Sequence, residues 1–289
     1  YEISSCDWSS GVCSSDLIYN AVSEAGIIKA EGSFRNLFIL GILAGAFIAF
    51  AGCASTMGAF NLFLEPSKFG LGRVLSAFIF TGGLVTVIIG GGELFTGNNL
   101  MVISLAEKKI KAGAMLRNWA IVYLGNFAGS MIVVGVVAGT GLFNTGDGMV
   151  VLVALKIGIN KVNLSFFSAF LSGLGCNWLV CMAVWMSFGA REAVSKVAVI
   201  FFPVFMFVIL GFEHSIANMY FIPAAILAKG NLEFISHSGV TLEQLNSLNW
   251  QSFFTDNLIP VTLGNLAGGG IFVAIAYWFA KFVDRKSVV

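Results

Sequence analysis

The sequence predicts an all-α membrane protein of six transmembrane spans, arranged as an inverted repeat of three spans each, with spans two and five broken. Three observations carry this. Charged residues make up 11% of the 289-residue chain and hydrophobic ones 57%, whereas about a quarter of a soluble domain is charged. Long runs free of charge are regularly spaced along the chain. Two short strings, Gly91-Gly92-Glu93-Leu94-Phe95-Thr96-Gly97-Asn98 and Gly211-Phe212-Glu213-His214-Ser215-Ile216-Ala217-Asn218, read as copies of each other. In both, Gly stands two before a Glu and Asn five after it.

The elements follow in order. Tyr1–Asp16 is polar and of low complexity, Cys6–Leu17 looks like translated sequencing-adapter sequence, and residues 1–16 are set aside as foreign to the fold. Over 17–33, apolar residues at Leu17, Ile18, Ala21, Val22, Ala25 and Ile28 recur at helical spacing. This predicts an amphipathic helix on the cytoplasmic surface. The six-span part is expected over 34–285. Its charge-free runs are Asn36–Leu64, Val74–Gly92, Leu94–Ala106, Asn118–Gly146, Val162–Ala190, Val197–Phe212, Ser215–Ala228 and Asn257–Ala280. About 20 apolar residues cross a bilayer as a helix. The second and third runs are split only by Glu93, the sixth and seventh only by Glu213-His214. Each joined pair is too long for one straight helix and reads as one span broken in its middle.

The duplication reaches further. Leu124-Gly125-Asn126-Phe127-Ala128-Gly129 matches Leu263-Gly264-Asn265-Leu266-Ala267-Gly268, and Gly52-Cys53 sits near the place of Gly175-Cys176. The offsets are 123 for the Gly-Cys pair, 120 for the broken spans and 139 for the last pair. The final jump places an insertion in the polar segment Gly230–Asp256. Repeat one then covers about 34–146 and repeat two about 162–281. Three spans per repeat is odd, so the second copy must be inverted. Small residues four apart (Gly41/Gly45, Gly125/Gly129, Gly135/Gly139, Gly264/Gly268) allow close helix approach.

Loop charges set the orientation. The N-terminal arm, loops two and four and the tail hold 11 Lys and Arg, the other loops 5. The positive-inside rule therefore puts both termini in the cytoplasm, and the inner (cytoplasmic) membrane is the expected location. A net charge of +1 gives no basic face for nucleic acid. Cys53, Cys176 and Cys181 sit in apolar spans as small hydrophobes, and no metal-ligand spacing appears.

Acids inside a membrane are costly and mark function. Two of them at matching places point to a transport site near the bilayer midplane. The glycines Gly90-Gly91-Gly92 and Gly211 supply the flexibility for the breaks. The half-helices after them are expected to start near Thr96 and Ser215, both good N-cap types. A helix N-terminus offers N–H donors to an anion. His214 stands at one break beside Glu213, in a span with no other titratable group, and imidazole donates hydrogen bonds or protons near neutral pH. Glu93 and Glu213, with Asn98 and Asn218, read as supports that tie helix ends and loops together. An intramembrane hydrolase built on Ser215 and His214 is disfavoured, since sequence neighbours on a helix point about 100° apart and no third group orients the imidazole.

Gly211-Phe212-Glu213-His214-Ser215-Ile216-Ala217-Asn218-Met219 resembles the signature of the formate/nitrite transporter family. So do Glu93-Leu94-Phe95-Thr96, Asn177 to Met186, and Asn257-Leu258-Ile259-Pro260-Val261-Thr262-Leu263-Gly264-Asn265. The resemblance covers about residues 20–285. It implies an aquaporin-like fold, a homopentamer in the lipid bilayer with one pore per protomer, no cofactor, and passage of small anions (formate, nitrite or hydrosulfide) rather than catalysis. Carried over by position, it implies pore or substrate roles for His214, Thr96, Lys161, Asn265 and Asn177. It also implies apolar constrictions at Phe80, Leu84, Leu94 and Phe207, with Phe95 adjacent. The long loop-five insertion followed by Asp256-Asn257-Leu258-Ile259-Pro260 looks more like formate members than nitrite members.

Overall fold

The computed structural model describes residues 14–230 and 239–287. Cys6, Cys13, His237 and most of the segment read as foreign lie outside them. Among the described residues every regular element is helical, and six helices are long and apolar enough to cross a membrane. The helices are α1 (Ser14–Glu31), α2 (Phe34–Leu64), α3 (Phe69–Ile89), α4 (Val102–Ala106), α5 (Ala112–Gly139), α6 (Met149–Val162), α7 (Phe166–Gly189), α8 (Ala193–Leu210), α9 (Ser215–Ala228), α10 (Leu242–Ser247) and α11 (Trp250–Val283). Within α11, Phe253–Leu258 and Ala267–Ile275 are wound as π-helix.

Local chemistry explains the boundaries. Ser33 caps α2 by accepting from the Asn36 amide, and Ser165 caps α7 by accepting from the Ser168 amide. These bonds satisfy N–H groups that a helix start leaves orphaned. α3 stops at Ile89, where Gly90-Gly91-Gly92 follows and Gly91 takes φ +75°. α8 stops at Leu210, where Gly211 takes φ +73°. Both are left-handed conformations that other residues resist.

Packing is closest where small residues face backbone. α2 packs on α5, and α7 on α11. A Cβ on Gly129 would strike the Ile42 carbonyl, and one on Gly264 the Phe170 carbonyl. Gly135 and Gly139, by contrast, face open space. Among the described residues, three of the four small-residue pairs are therefore helix contacts and the fourth is not.

Two readings of the N-terminal region change. First, α1 begins at Ser14, before the expected start at Leu17. Asp16 falls in its first turn, where an acid suits the helix dipole, and its carboxylate pairs with Lys281 at the far end of the chain. Second, α1 is anchored rather than merely laid on a surface. Buried Ser23 donates to Glu107 at 2.6 Å, its carbonyl accepts from Ser104 at 2.8 Å, and Lys109 reaches Ser23 and Glu107, each at 2.9 Å.

Burial works to raise the Glu107 carboxyl, but hydrogen bonds from Ser23, Lys109 and Tyr19 outweigh it and hold the pKa below its ordinary value. A lowered carboxyl stabilises the docked state above the ordinary carboxylate range and loses that contribution as pH falls through the folded value. Glu107→Gln should therefore speed amide hydrogen exchange of α1 roughly 3- to 10-fold at pH 7. The difference should shrink below about pH 4. Equal exchange at pH 7 would show that this cluster does not hold α1.

Candidate functional site

The site is built by two matching sets of hydrogen bonds, one around each glycine break. In the first, Lys29 pairs with Glu93 at 2.6 Å, and Asn98 donates to the other Glu93 oxygen at 2.7 Å and to Asn118 at 2.9 Å. Asn118 donates to the Lys29 carbonyl at 2.9 Å. In the second, Lys161 pairs with Glu213 at 2.8 Å, and Asn218 donates to Glu213 at 2.6 Å and to Asn257 at 2.7 Å. Asn257 donates to the Lys161 carbonyl at 2.9 Å. A buried carboxylate is tolerated when charge and hydrogen bonds surround it. Each glutamate meets that condition.

Asn126 and Asn265 complete the two sets. Asn126 donates to the carbonyls of Gly41 and Glu93 and accepts from the Phe95 amide. Asn265 donates to the carbonyls of Gly173 and Glu213 and accepts from the Ser215 amide. Each side chain thus satisfies backbone groups that the break sets free. Asn265 is fully buried and works as backbone support, not as cavity wall. Asn177 does likewise, donating to the carbonyls of Asn265 at 2.7 Å and Thr96 at 3.3 Å and to the Asn99 side chain at 2.9 Å.

These pairings give the register of the duplication. Lys29, Ser33 and Gly41 correspond to Lys161, Ser165 and Gly173, all at an offset of 132. The Gly-Cys match at offset 123 is therefore wrong, because Cys176 occupies the place of Ala44. The breaks keep offset 120 and the asparagines of α5 and α11 keep 139. Since Lys29 lies in α1 and Lys161 in α6, those helices correspond, and the duplication starts before residue 34.

Two cavities approach the centre. One, of about 340 Å³, is walled by Leu84, Leu94, Lys29, Glu93 and Lys196 among others. The other, of about 430 Å³, is walled by Phe80, Phe207, His214, Lys161 and Arg73 among others. Phe80 on the wall of the larger cavity and Leu84 on the wall of the smaller one sit one turn apart on α3. Phe80 and Phe207 meet edge to face with centroids 6.0 Å apart, and Phe207 lies 6.0 Å from the His214 ring. Phe95, grouped with the constriction on sequence, turns away and packs on Trp119 and Tyr123.

Thr96 and His214 meet in the partition between the cavities, Thr96 Oγ1 lying 3.0 Å from His214 Nε2. Both are buried. Here the structure corrects the expected caps. The N-cap of α9 is His214, not Ser215: its Nδ1 accepts from the Ala217 amide at 3.1 Å, with the backbone extended at φ −107° and ψ 116°. Ser215 begins the helix and its Oγ has no hydrogen-bond partner among the described residues. Thr96 makes no cap bond; a 3₁₀ turn, Gly97–Met101, precedes α4. Its carbonyl instead accepts from Asn177 and from the Cys181 thiol.

An amide N–H can bond only to an unprotonated Nδ1. The neutral ring therefore carries its proton on Nε2 and donates it to Thr96 Oγ1, which leaves the threonine hydroxyl proton free to donate elsewhere. Sequence reasoning missed Lys29, Cys181 and Arg73. Only Lys29 had a signal, the shared spacing Lys29-x3-Ser33-Phe34 and Lys161-x3-Ser165-Phe166. Among the described residues no cluster of His, Cys, Asp and Glu could hold a metal.

A formate/nitrite transporter family model matches residues 16–279. The formate channel FocA of Escherichia coli strain K12 is 37% identical over 257 residues, covering 88% of this chain and 90% of the relative. The uncharacterized transporter YrhG of Bacillus subtilis is 37% identical over 275 residues, covering 94% of this chain and 95% of the relative. Among solved structures, a pentameric formate channel with formate bound superposes with a TM-score of 0.77 at 39% identity, covering 86% of this chain and 98% of that one. With its six apolar helices and its two glutamate-centred breaks, this chain belongs to the formate/nitrite transporter family.

Proposed function

We propose that this chain is a membrane channel for small monovalent weak-acid anions, formate foremost. The observation that carries the reading is the Thr96–His214 pair, held 3.0 Å apart in an apolar partition between two cavities that carry lysines. The similarity to a formate channel in sequence and to a formate-bound channel in structure supports formate as the substrate. Nitrite and hydrosulfide share its charge and small size and are the secondary candidates.

An anion entering either cavity meets cationic groups: Lys29 and Lys196 on one side, Lys156, Lys161 and Arg73 on the other. The apolar rings then strip its water, which is costly for a charge. The free Thr96 hydroxyl proton offsets part of that cost at the centre. His214 aims that hydroxyl by donating to it. Handing a proton from the ring to the anion would need Nδ1 charged first, which breaks the bond to Ala217. The cap thus favours passage of the anion over passage of its acid.

In this reading, α3 with α4, and α8 with α9, are the two broken spans of an aquaporin-like inverted repeat. Five protomers assemble, as in the similar pentameric channel. The excess of Lys and Arg on one set of loops puts both termini, and the cavity lined by Lys29, in the cytoplasm. Flux of formate, nitrite and hydrosulfide into proteoliposomes, measured side by side, tests the substrate. Formate should be fastest. Flux no greater than in empty liposomes would remove the channel reading, and faster hydrosulfide or nitrite would reassign the substrate.

A further inference from the structure

Arg73 is fixed in place without a carboxylate to neutralise it. It lies on α3 at the wall of the larger cavity, which it shares with His214, Lys156, Lys161 and Glu213. Its Nη1 donates to the Ile209 carbonyl at 2.6 Å, in the last turn of α8, where the helix dipole favours a cation. The guanidinium stands over the Phe69 ring at 5.6 Å. On a third side it rests against Gly211, where an added Cβ would come within 2.7 Å of both Nη1 and Nη2. Glu213, the acid lining the same cavity, is spent on Lys161, Asn218 and Asn257. Among the described residues no ion pair is formed by Arg73.

A guanidinium has five donors in a planar fork that matches the two oxygens of a carboxylate. Here one donor goes to a carbonyl and the plane is held by a ring and a glycine. Preorganisation of this kind lowers the ordering cost of binding. A mobile lysine such as Lys156 supplies charge to the same cavity but no fork. Building on the anion-channel reading above, we propose that Arg73 is a specificity-determining residue at the cavity mouth. It captures a two-oxygen anion such as formate through paired N–H···O bonds ahead of the Phe80–Phe207 ring. An anion with a single acceptor atom, such as hydrosulfide, cannot fill the fork and gains only its charge.

Arg73→Lys separates fork from charge. In proteoliposomes the variant should raise the formate concentration at half-maximal flux about 3- to 10-fold. It should leave that for hydrosulfide within error of the parent. Equal shifts for both anions, or none, would overturn the proposal. An inactive parent protein would instead remove the channel reading. Should Arg73→Lys not fold, the parent protein gives a second readout. Phenylglyoxal labels accessible arginines, and peptide mass spectrometry locates the adduct. Formate should protect Arg73 where sodium chloride of equal ionic strength does not. Equal labelling in both salts would overturn the proposal.

Discussion

Glu213→Ala should be strongly destabilising, among the costliest single changes in the membrane-embedded part of this protein. The Glu213 side chain is 6% exposed and its partner Lys161 16%. One carboxylate oxygen pairs with Lys161, and the other accepts from Asn218 and Asn257. Removing the acid leaves a buried ammonium and two amides without that partner. Breaking a buried ion pair from one side costs about 3–5 kcal/mol. In detergent that corresponds to a loss of roughly 10 °C in midpoint, read by scanning fluorimetry with size-exclusion chromatography as a check on assembly. Glu213→Gln keeps an acceptor for the asparagines and should lose less. Glu93→Ala tests the argument from the matched break. There the side chains of Glu93 and Lys29 are 13% and 26% exposed, so water can take up part of the orphaned charge. Equal losses for Glu93→Ala and Glu213→Ala would show that burial does not set the cost.

The same pair of breaks shows what a sequence exposes and what it hides. Charge-free runs are set by the bilayer, so the helices that cross it are visible as composition. The glycines before Glu93 and Glu213 are visible because a left-handed turn admits few other residues. The register of the first elements was less visible. Gly52-Cys53 and Gly175-Cys176 look alike as letters but play no common part, whereas Lys29 and Lys161 share only the spacing Lys-x3-Ser-Phe in sequence and do the same work. Identity was followed where role should have been. Caps failed for a related reason. Ser and Thr are among the favoured N-cap types, which pointed to Thr96 and Ser215. At α9 the extended backbone of His214 and its contact with Thr96 fix the imidazole so that its Nδ1 takes the cap instead. No local rule ranks that choice. The family resemblance implies pore roles for Asn177 and Asn265, whose buried amides need partners. The partners proved to be backbone carbonyls several helices away, which only the assembled fold brings within reach. Arg73 left no trace, since its meaning depends on Ile209 and Gly211 lying beside it.

Under the repeat register the centre is not symmetric. His214 stands where the first break has Leu94, and Ile216 stands where the first break has Thr96. One half supplies the hydroxyl and the other the imidazole that aims it, so neither half makes the polar centre alone. Replacing His214 by Phe should therefore act on transport far beyond its effect on folding. Thr96 loses the donor that orients it, and an anion between Phe80, Leu84 and Phe207 meets an unaimed hydroxyl. A hydrogen bond to a charged group is worth about 1.5–3 kcal/mol, which is roughly 10- to 150-fold in rate if it acts on the barrier. His214→Asn restores an amide donor and an acceptor for the Ala217 cap, so formate flux should recover to within about tenfold of the parent. The shape of its pH profile decides the mechanism. If His214 serves only as cap and donor, the Asn variant should follow the parent's profile in proteoliposomes, because the parent's ring is never charged and the amide does not titrate. A flattened profile in His214→Asn would mean that the ring does take up a proton, that the Ala217 bond opens during transport, and that formic acid rather than formate crosses the partition.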